Sequence, residues 1–454
     1  MKYLTNLFSK FQSKNLKKYI ANTSWLFFER ITRIVLGVFV GIYVARYLGP
    51  NHFGILCFAN SYVGIFIILS SLGLNDIVIQ GLVNEEDQRD LLLGTSFFLK
   101  LTGAIFSIFI LMISIQFTSS DANTKLIVFI IACGMIFQSF NVIDLYFQAK
   151  VLSKYIVWSQ LATLLISSIA KLVLIFFQKP LIWFAIIVLI DSIVLAANMT
   201  IYYFYSKLSL TKWKFSINTS KYLLKKSWKL ILSGIAVSIY VKIDQVMIKE
   251  MISNEAVGNY SAALRLSEAW YFIPMAVSSS LFPAIISAKK INDKLYYDRL
   301  QKLFDFLAWI AILIALPISI LSDWILITLF GTAYQDGGSV LAIHIWTGVF
   351  VSLGLPSGNW YIIENYITKY FYRTVAGLAT NIILNIMLIP KYGITGAAYA
   401  MLISQFVSCY FYDAFQKETR ILFKMKTMAI IPIHRLNLLT HIKNLKTISY
   451  DHPT

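Results

Sequence analysis

The chain has 454 residues, of which 58% are hydrophobic and only 14% are charged, and its formal net charge is +18. Soluble domains carry about 25% charged residues, so this composition excludes an ordinary water-soluble protein and indicates lipid as the main solvent. The basic residues cluster between apolar runs, a distribution that argues against a nucleic-acid-binding surface.

Twelve apolar runs are long enough to cross a membrane, because a helical span needs about 20 mostly apolar residues. They lie at 22–47, 55–74, 91–117, 125–147, 155–178, 181–205, 228–250, 256–288, 303–330, 339–363, 371–389 and 394–416. Prolines interrupt the eighth, ninth and tenth runs at Pro274, Pro283, Pro317 and Pro356. Proline removes a backbone donor, so kinked or broken helices are expected there. The predicted fold class is all-α, a polytopic membrane protein of about twelve transmembrane helices.

The first apolar run follows several lysines but is too long for a signal peptide, so it is interpreted as the first span. Lysine and arginine are concentrated before it, in alternate loops and after residue 416, and they are sparse in the loops between. By the positive-inside rule, both termini are predicted to be cytoplasmic. Cysteines and histidines lie scattered, without the spacing of metal ligands. No metal, cofactor or catalytic residue is predicted.

The longest inward loop divides the chain into two halves of six spans each. The halves align weakly, "IYVARYLGPNHFGILCFANSY" with "VMIKEMISNEAVGNYSAALRL", so that Gly54 falls on Gly258. Parallel repeats of this kind predict two pseudo-symmetric six-helix bundles around a central cavity. The predicted segments are a basic N-terminus (1–21), an N-lobe (22–205), a basic linker (206–227), a C-lobe (228–416) and a basic tail (417–454).

Three stretches carry a family resemblance over about Tyr19 to Gln416. They read "ARYLGPNHFGILCFANSYVGIFIILSSLGLNDIVIQ", "LFGTAYQDGGSVLAIHIW" and "NIILNIMLIPKYGITGAAYAMLISQF". In order and spacing they resemble the polysaccharide-biosynthesis membrane proteins, the Wzx-type flippases of lipid-linked oligosaccharides. That family belongs to the superfamily of the multidrug and toxin extruders (MATE) and the lipid II flippase.

The resemblance implies a transporter rather than an enzyme. Its substrate would be an undecaprenyl-diphosphate-linked repeat unit, moved from the cytoplasmic to the periplasmic leaflet by alternating access. The product would serve O-antigen (lipopolysaccharide) or capsule synthesis. The implied partners are this glycolipid, membrane lipid and other polysaccharide assembly proteins.

Charged side chains inside the spans are the candidate site residues, because each costs at least about 2.5–3.5 kcal/mol to insert and so faces a cavity or a partner. The bases predicted to bind the diphosphate or line an anionic-substrate cavity are Arg30, Arg33, Lys100, Lys171, Lys242 and Arg265. The acids predicted to act in coupling or as counter-charges are Glu29, Asp144, Asp191, Asp244 and Glu268. Guanidinium groups suit the diphosphate because their planar donors match its oxygens.

Several of these charges also have a structural interpretation. Glu29 and Arg33 are four residues apart, so they could form an ion pair that lets the first span insert. Two acids near mid-span, in the fourth and sixth spans, could pair with Lys100 and Lys171. Asp244 has no partner nearby in its own helix, which makes it a candidate coupling carboxylate or a partner for a base of the first half, although a structural role is favoured. Asp413 lies near a span end, where solvation at the membrane interface is expected. The basic tail is expected to lie on the membrane surface or to be disordered.

Two other functions remain open at the level of sequence. A cation-coupled multidrug-type exporter should line its cavity mainly with acids, whereas this chain distributes Arg and Lys through both halves. A membrane enzyme of polysaccharide assembly usually needs large outward loops, and the outward loops here are only a few residues long. The sequence therefore favours a flippase with an anionic substrate.

Overall fold

A computed structural model describes residues 14–431, with side chains from Ser24 onward. The predicted N-terminal segment up to residue 13 and the tail from residue 432 lie outside the described residues. Within 14–431 the regular structure is helical, without strands. The α-helices up to residue 251 are α1 (Lys14–Ser71), α2 (Asn75–Asn84), α3 (Arg89–Ser114), α4 (Ala122–Gln138), α5 (Val142–Ala149), α6 (Ser153–Phe176), α7 (Leu181–Tyr205) and α8 (Ile217–Met251). Those that follow are α9 (Asn254–Glu268), α10 (Phe272–Ile291), α11 (Asp293–Ile320), α12 (Ser322–Phe330), α13 (Gly337–His344), α14 (Thr347–Ile363), α15 (Ile367–Cys409) and α16 (Arg420–Ile430).

Ten stretches of the described chain are long and apolar enough to cross a membrane. The first, Ser24–Asn84, has 61 residues, and the last, Ile367–Ala414, has 48. A 61-residue helix would extend about 90 Å, three times the thickness of the hydrocarbon core. The first and the last stretch are instead each broken at a glycine. Gly49 (φ 69°) breaks the first and Gly393 (φ 60°) breaks the last, because glycine adopts positive φ readily. Each therefore holds two spans, and the predicted all-α polytopic fold of about twelve spans is confirmed.

Several helix boundaries differ from the predicted ones. The predicted loop before residue 91 contains α2, and the predicted ninth span divides into α11 and α12 after Ile320. Helix α11 begins ten residues early because the Asn292 side chain accepts a hydrogen bond from Leu295 N at 2.7 Å. In the eighth span, a 3-10 turn at Ala269–Tyr271 separates α9 from α10 just before Pro274. The expected break near this proline is therefore confirmed, whereas α10, α11 and α14 continue through Pro283, Pro317 and Pro356 without a break.

The described chain forms two compact units. Within residues 14–431, unit 1 extends to Ala262 and includes Leu329–Tyr334, and unit 2 consists of Ala263–Thr328 and the residues from Gln335 onward. The predicted lobes, 22–205 and 228–416, remain a prediction.

In unit 1, α1 packs against α3, α4, α6 and α8, and α4 packs against α7. Two glycines permit a close crossing of α1 with α9. A Cβ added to Gly54 would lie 1.7 Å from the Asn254 carbonyl oxygen, and one added to Gly258 would lie 2.0 Å from the Pro50 carbonyl oxygen. The two glycines that the weak repeat aligns thus occupy reciprocal positions in one helix crossing.

In unit 2, α11 packs against α10, α14 and α16. The core there includes Phe304, Leu307, Trp360 and Met425. Because Met425 belongs to α16, this part of the predicted basic tail is folded into the core of unit 2. The expectation that the tail lies on the membrane or is disordered is therefore wrong for α16, whose apolar face is buried.

Candidate functional site

A polar cavity of about 350 Å³ lies among apolar spans of unit 1. We call it the Arg33 cavity. Its charged and polar lining is supplied by α1, α4, the following 3-10 turn, α6 and α7, and consists of Arg33, Gln138, Asn141, Gln160, Thr163, Ser167, Lys171, Asp191 and Ser192. The structure therefore brings three of the predicted site residues, Arg33, Lys171 and Asp191, into one cavity.

Lys171 and Asp191 form an ion pair across two helices of this cavity. The Lys171 Nζ lies 3.5 Å from Asp191 Oδ2. Ser167, one turn before Lys171 on α6, accepts a hydrogen bond from Lys171 Nζ at 2.7 Å and donates one to Asp191 Oδ2 at 2.8 Å. This is the pairing that the sequence suggested. About a quarter of each charged side chain stays exposed, so the pair remains accessible from the cavity.

Arg33 is paired with Glu29, as the structural interpretation of the sequence proposed. Its Nε donates to Glu29 Oε1 at 2.6 Å, and its Nη2 lies 2.5 Å from the same oxygen. Glu29 is buried, whereas half of the Arg33 side chain is exposed. A guanidinium has five N–H donors, so the ion pair leaves donors for a ligand. Arg30 is exposed and lies outside the lining of this cavity.

Lys100 and Asp144 lie elsewhere in unit 1. Lys100 is 4% exposed and donates to Asn75 Oδ1 at 2.7 Å. Asp144 accepts from Gln148 Nε2 at 2.9 Å and is close enough to attract Lys100 electrostatically. Helix α2, which the sequence did not predict, supplies the Asn75 partner. Lys100 is therefore a buried polar group with a hydrogen-bond partner inside unit 1, and its role in substrate binding stays a prediction.

The other predicted residues also lie outside the Arg33 cavity. Lys242 is half-buried, with its stem 3.6 Å from the position of a Cβ on Gly64. Asp244 is buried and accepts a hydrogen bond from the Tyr260 hydroxyl at 2.8 Å. The partner of Asp244 therefore comes from a neighbouring helix, and the expectation that its own helix supplies none stays a prediction. The remaining candidates, Arg265 and Glu268, belong to unit 2. Arg265 is half-buried and Glu268 is exposed, and their roles stay predictions.

A family model described as polysaccharide biosynthesis protein matches residues 19–289, more than half of the chain. The chain belongs to the polysaccharide biosynthesis protein family. This confirms the family predicted from the three sequence stretches. Together with its apolar helices, it makes this polysaccharide biosynthesis protein a multi-pass membrane protein.

Three known proteins resemble this family member. The probable flippase AglR of Haloferax volcanii is 30% identical over 181 residues, a match that spans 36% of this chain and 35% of the relative. A solved multidrug resistance MATE transporter of the MOP superfamily, in an inward-facing conformation, has a TM-score of 0.72 at 13% identity, covering 92% of this chain and 96% of the other. The lipid II flippase MurJ, in an inward closed conformation, has a TM-score of 0.63 at 16% identity, covering 96% and 94%. At these identities, the two solved structures establish a shared fold.

Unit 2 of the polysaccharide biosynthesis protein contains a buried charge cluster that sequence reasoning missed. Lys426 of α16 is fully buried, and its Nζ donates to Asp413 Oδ2 at 2.5 Å and to the Cys409 carbonyl at 2.6 Å. The Tyr361 hydroxyl donates to the other Asp413 oxygen at 2.5 Å. Burial lowers the pKa of Lys426, and the Asp413 charge opposes that effect. The expectation of interfacial solvation for Asp413 is therefore wrong.

The signal for this cluster was present in the tail. Leu422, Met425 and Ala429 are buried at the spacing of one helical face, so α16 is an amphipathic helix that needs an apolar partner. Arg373, also missed, is 4% exposed, and its guanidinium lies 5.0 Å from the centre of the Tyr370 ring. Among the described residues, its Nε and Nη1 have no hydrogen-bond partner. Cation–π contacts with the rings of Tyr361 and Tyr370 therefore contribute to the stabilisation of this buried charge.

Proposed function

We propose that this protein is a flippase for lipid-diphosphate-linked oligosaccharides and catalyses no covalent reaction itself. In the full form of the proposal, an undecaprenyl carrier brings the repeat unit, which moves from the cytoplasmic to the periplasmic leaflet by alternating access. The protein would lie in a bacterial inner membrane with both termini in the cytoplasm. The product would serve O-antigen or capsule synthesis, with other assembly proteins supplying and receiving the glycan.

The Arg33 cavity is the observation that carries this proposal. Charged side chains inside apolar spans face a partner or a cavity and mark candidate functional sites, and a diphosphate offers several charged oxygens to Arg33 and Lys171. Charge-assisted hydrogen bonds gain strength where a bound ligand displaces water from around them. Glu29 and Asp191 hold the two bases in place in the absence of a ligand. We infer that the diphosphate competes with these carboxylates for the remaining donors of Arg33 and Lys171.

The comparisons support the same direction. The family is described by polysaccharide biosynthesis, the relative AglR is named a probable flippase, and MurJ is named a lipid II flippase. A substrate made of lipid, diphosphate and sugar matches what these names share. The Arg33 cavity indicates which part of this substrate is recognised, because Arg33 and Lys171 would bind its diphosphate.

A cation-coupled exporter is the second candidate function. Its supporting observation is that Glu29 and Asp191 bring two carboxylates to the same region, which a proton or a cationic compound would neutralise. The MATE fold serves such transport in the solved relative, which is named a multidrug resistance transporter. The site contains two bases and two acids, so identifying the transported substrate is what decides between the flippase and the exporter.

The test is translocation in proteoliposomes. Vesicles carry a polyprenyl-diphosphate oligosaccharide, and a lectin or glycosidase confined to one side reports its movement. We expect transport by the wild type and a loss of at least about tenfold in Arg33→Gln and Lys171→Met, since each substitution removes charge-assisted bonds of about 1.5–3 kcal/mol. Lys225→Met, an exposed lysine of α8, is the matched control and should keep full activity.

Two results would contradict the proposal. One is full transport by both cavity variants, which would separate the Arg33 cavity from function. The other is a folded wild type that moves no glycolipid but expels ethidium under an imposed proton or sodium gradient. That result would establish the exporter instead.

A further inference from the structure

A second and larger cavity, of about 700 Å³, lies at one end of the helices of unit 1. We call it the Asn51 cavity. It is lined where α1 bends, where α4 and α9 begin and where α6 connects to α7. Its polar side chains come from Asn51, His52, Asp121, Asn123, Lys179 and Asn254. None of the residues predicted from the sequence to bind substrate lines this cavity.

The lining of the Asn51 cavity suits a neutral ligand rich in hydroxyl and amide groups. Its three asparagines each offer two N–H donors and a carbonyl acceptor. The Asp121 and Lys179 charges offset each other, so the cavity has no excess of either sign beyond His52. This differs from the Arg33 cavity, where Arg33 and Lys171 each keep N–H groups that can donate hydrogen bonds to phosphate oxygens.

Two further observations favour a ligand here. The Asn254 Oδ1 is buried and has no hydrogen-bond partner among the described atoms, a state that a ligand donor would relieve. Tyr47, which also lines the cavity, is held in place because its hydroxyl donates to the Lys179 carbonyl at 3.0 Å. Its ring lies 5.8 Å from that of Phe184. A fixed aromatic side chain beside amides is a suitable surface for a sugar ring.

The two cavities are aligned along three shared helices, α1, α4 and α7, and two of these give the distance between them. Helix α1 contributes Arg33 to one and Tyr47 to the other, fourteen residues later, which is about 21 Å along the helix axis. Helix α7 contributes Asp191 to the first and Leu181 to the second, ten residues earlier, or about 15 Å. The two estimates agree on a separation of some 15–20 Å. A short oligosaccharide attached to a diphosphate in the Arg33 cavity is long enough to reach the Asn51 cavity.

We propose that the Asn51 cavity binds sugar residues of the oligosaccharide whose diphosphate occupies the Arg33 cavity. This inference rests on the proposed flippase function and adds to it a site that selects the glycan. The Arg33 cavity then recognises what all such substrates share, the diphosphate. The Asn51 cavity recognises what distinguishes one repeat unit from another.

The test uses two soluble probes and the purified full chain in detergent. The first probe is the neutral oligosaccharide released by mild acid from the lipid-linked fraction of the cells that make this protein, and the second is inorganic diphosphate. Binding of each is measured by calorimetry or saturation-transfer NMR. We expect the double variant Asn51→Ala/Asn123→Ala to lose at least about tenfold in oligosaccharide affinity, as two hydrogen bonds are removed, and to keep its diphosphate affinity.

Variants elsewhere supply the controls. Arg33→Gln should show the reverse pattern, with weakened diphosphate binding and unchanged oligosaccharide binding. Asn60→Ala should change neither, because Asn60 is exposed, lines neither cavity and bonds only within its own helix, to the Leu56 carbonyl at 2.7 Å. Since Asn51 and Asn123 are exposed, their loss is not expected to prevent folding.

Equal oligosaccharide affinity in the double variant and the wild type would overturn the proposal. So would the absence of oligosaccharide binding to wild type under conditions in which diphosphate binds. The flippase function is tested separately by translocation. Glycolipid transport with no dependence of sugar binding on Asn51 and Asn123 leaves the flippase standing and removes the glycan site. Sugar binding that depends on both residues, without glycolipid transport, keeps the site and removes the flippase.

Discussion

Lys426 offers the sharpest test of how unit 2 is held together. Its amine is fully buried between the Asp413 carboxylate and the Cys409 carbonyl. Methionine has a similar length and packs well, so Lys426→Met changes the charge with an expected packing cost below about 1.5 kcal/mol. Removing one partner of a buried ion pair leaves the other charge uncompensated and costs about 3–5 kcal/mol. We therefore expect the free energy of unfolding to fall by about that amount.

Further substitutions in the same cluster should restore part of the loss. In Lys426→Met/Asp413→Leu both charges are gone, and replacing a buried pair by apolar groups is often neutral or stabilising. The Tyr361 hydroxyl, which donates to Asp413, then loses its acceptor at a cost of about 1–3 kcal/mol. The double variant should therefore be more stable than Lys426→Met, and adding Tyr361→Phe should stabilise it again.

The assay is reversible unfolding in detergent micelles followed by tryptophan fluorescence, with the free energy of unfolding compared across the series. Lys424→Met is the matched control, because Lys424 lies on the same helix two residues earlier and is exposed. A surface change of this kind should stay within about 0.5 kcal/mol of wild type. A loss below about 1 kcal/mol in Lys426→Met, or a double variant less stable than the single one, would refute the reasoning.

Other predictions concern packing, coupling and acid stability. Gly54→Ala should destabilise unit 1 by at least about 1–3 kcal/mol in thermal unfolding, because its Cβ would overlap a backbone carbonyl, while Gly37→Ala, whose Cβ meets no described atom within 4 Å, should be neutral or stabilising. Asp244→Asn should remove any dependence of proteoliposome transport on a proton or sodium gradient; an unchanged dependence would exclude Asp244 as the coupling carboxylate. Lys369 Nζ lies 2.8 Å from a Glu418 oxygen, and this bond lowers the pKa of Glu418. The ion pair therefore contributes stability above the ordinary glutamate pKa, and this contribution is lost as the pH falls through the lowered pKa of Glu418. On acidification, the free energy of unfolding should fall further in wild type than in Lys369→Gln.

Hydropathy alone was sufficient for the fold class and the approximate number of spans of this protein. Transfer into lipid is a local property of each apolar run, so the number of spans and the all-α class follow from composition without knowledge of contacts. The predicted breaks at prolines were correct near Pro274 for the same reason, since the lost donor is local. Helix α2 and the early start of α11 were missed because capping and amphipathic packing, not hydropathy, form them.

The partners of charged residues were decided by the tertiary structure. The Glu29–Arg33 pair was readable because both residues lie on one turn of one helix. The Lys171–Asp191 pair was only one of several combinations, since it joins two helices. Lys426 and Asp413 were assigned to different environments, because the pair depends on α16 folding back onto α11. Sequence determines which groups are too costly to leave alone in lipid, and only the packing of helices determines which group lies within 3 Å of each.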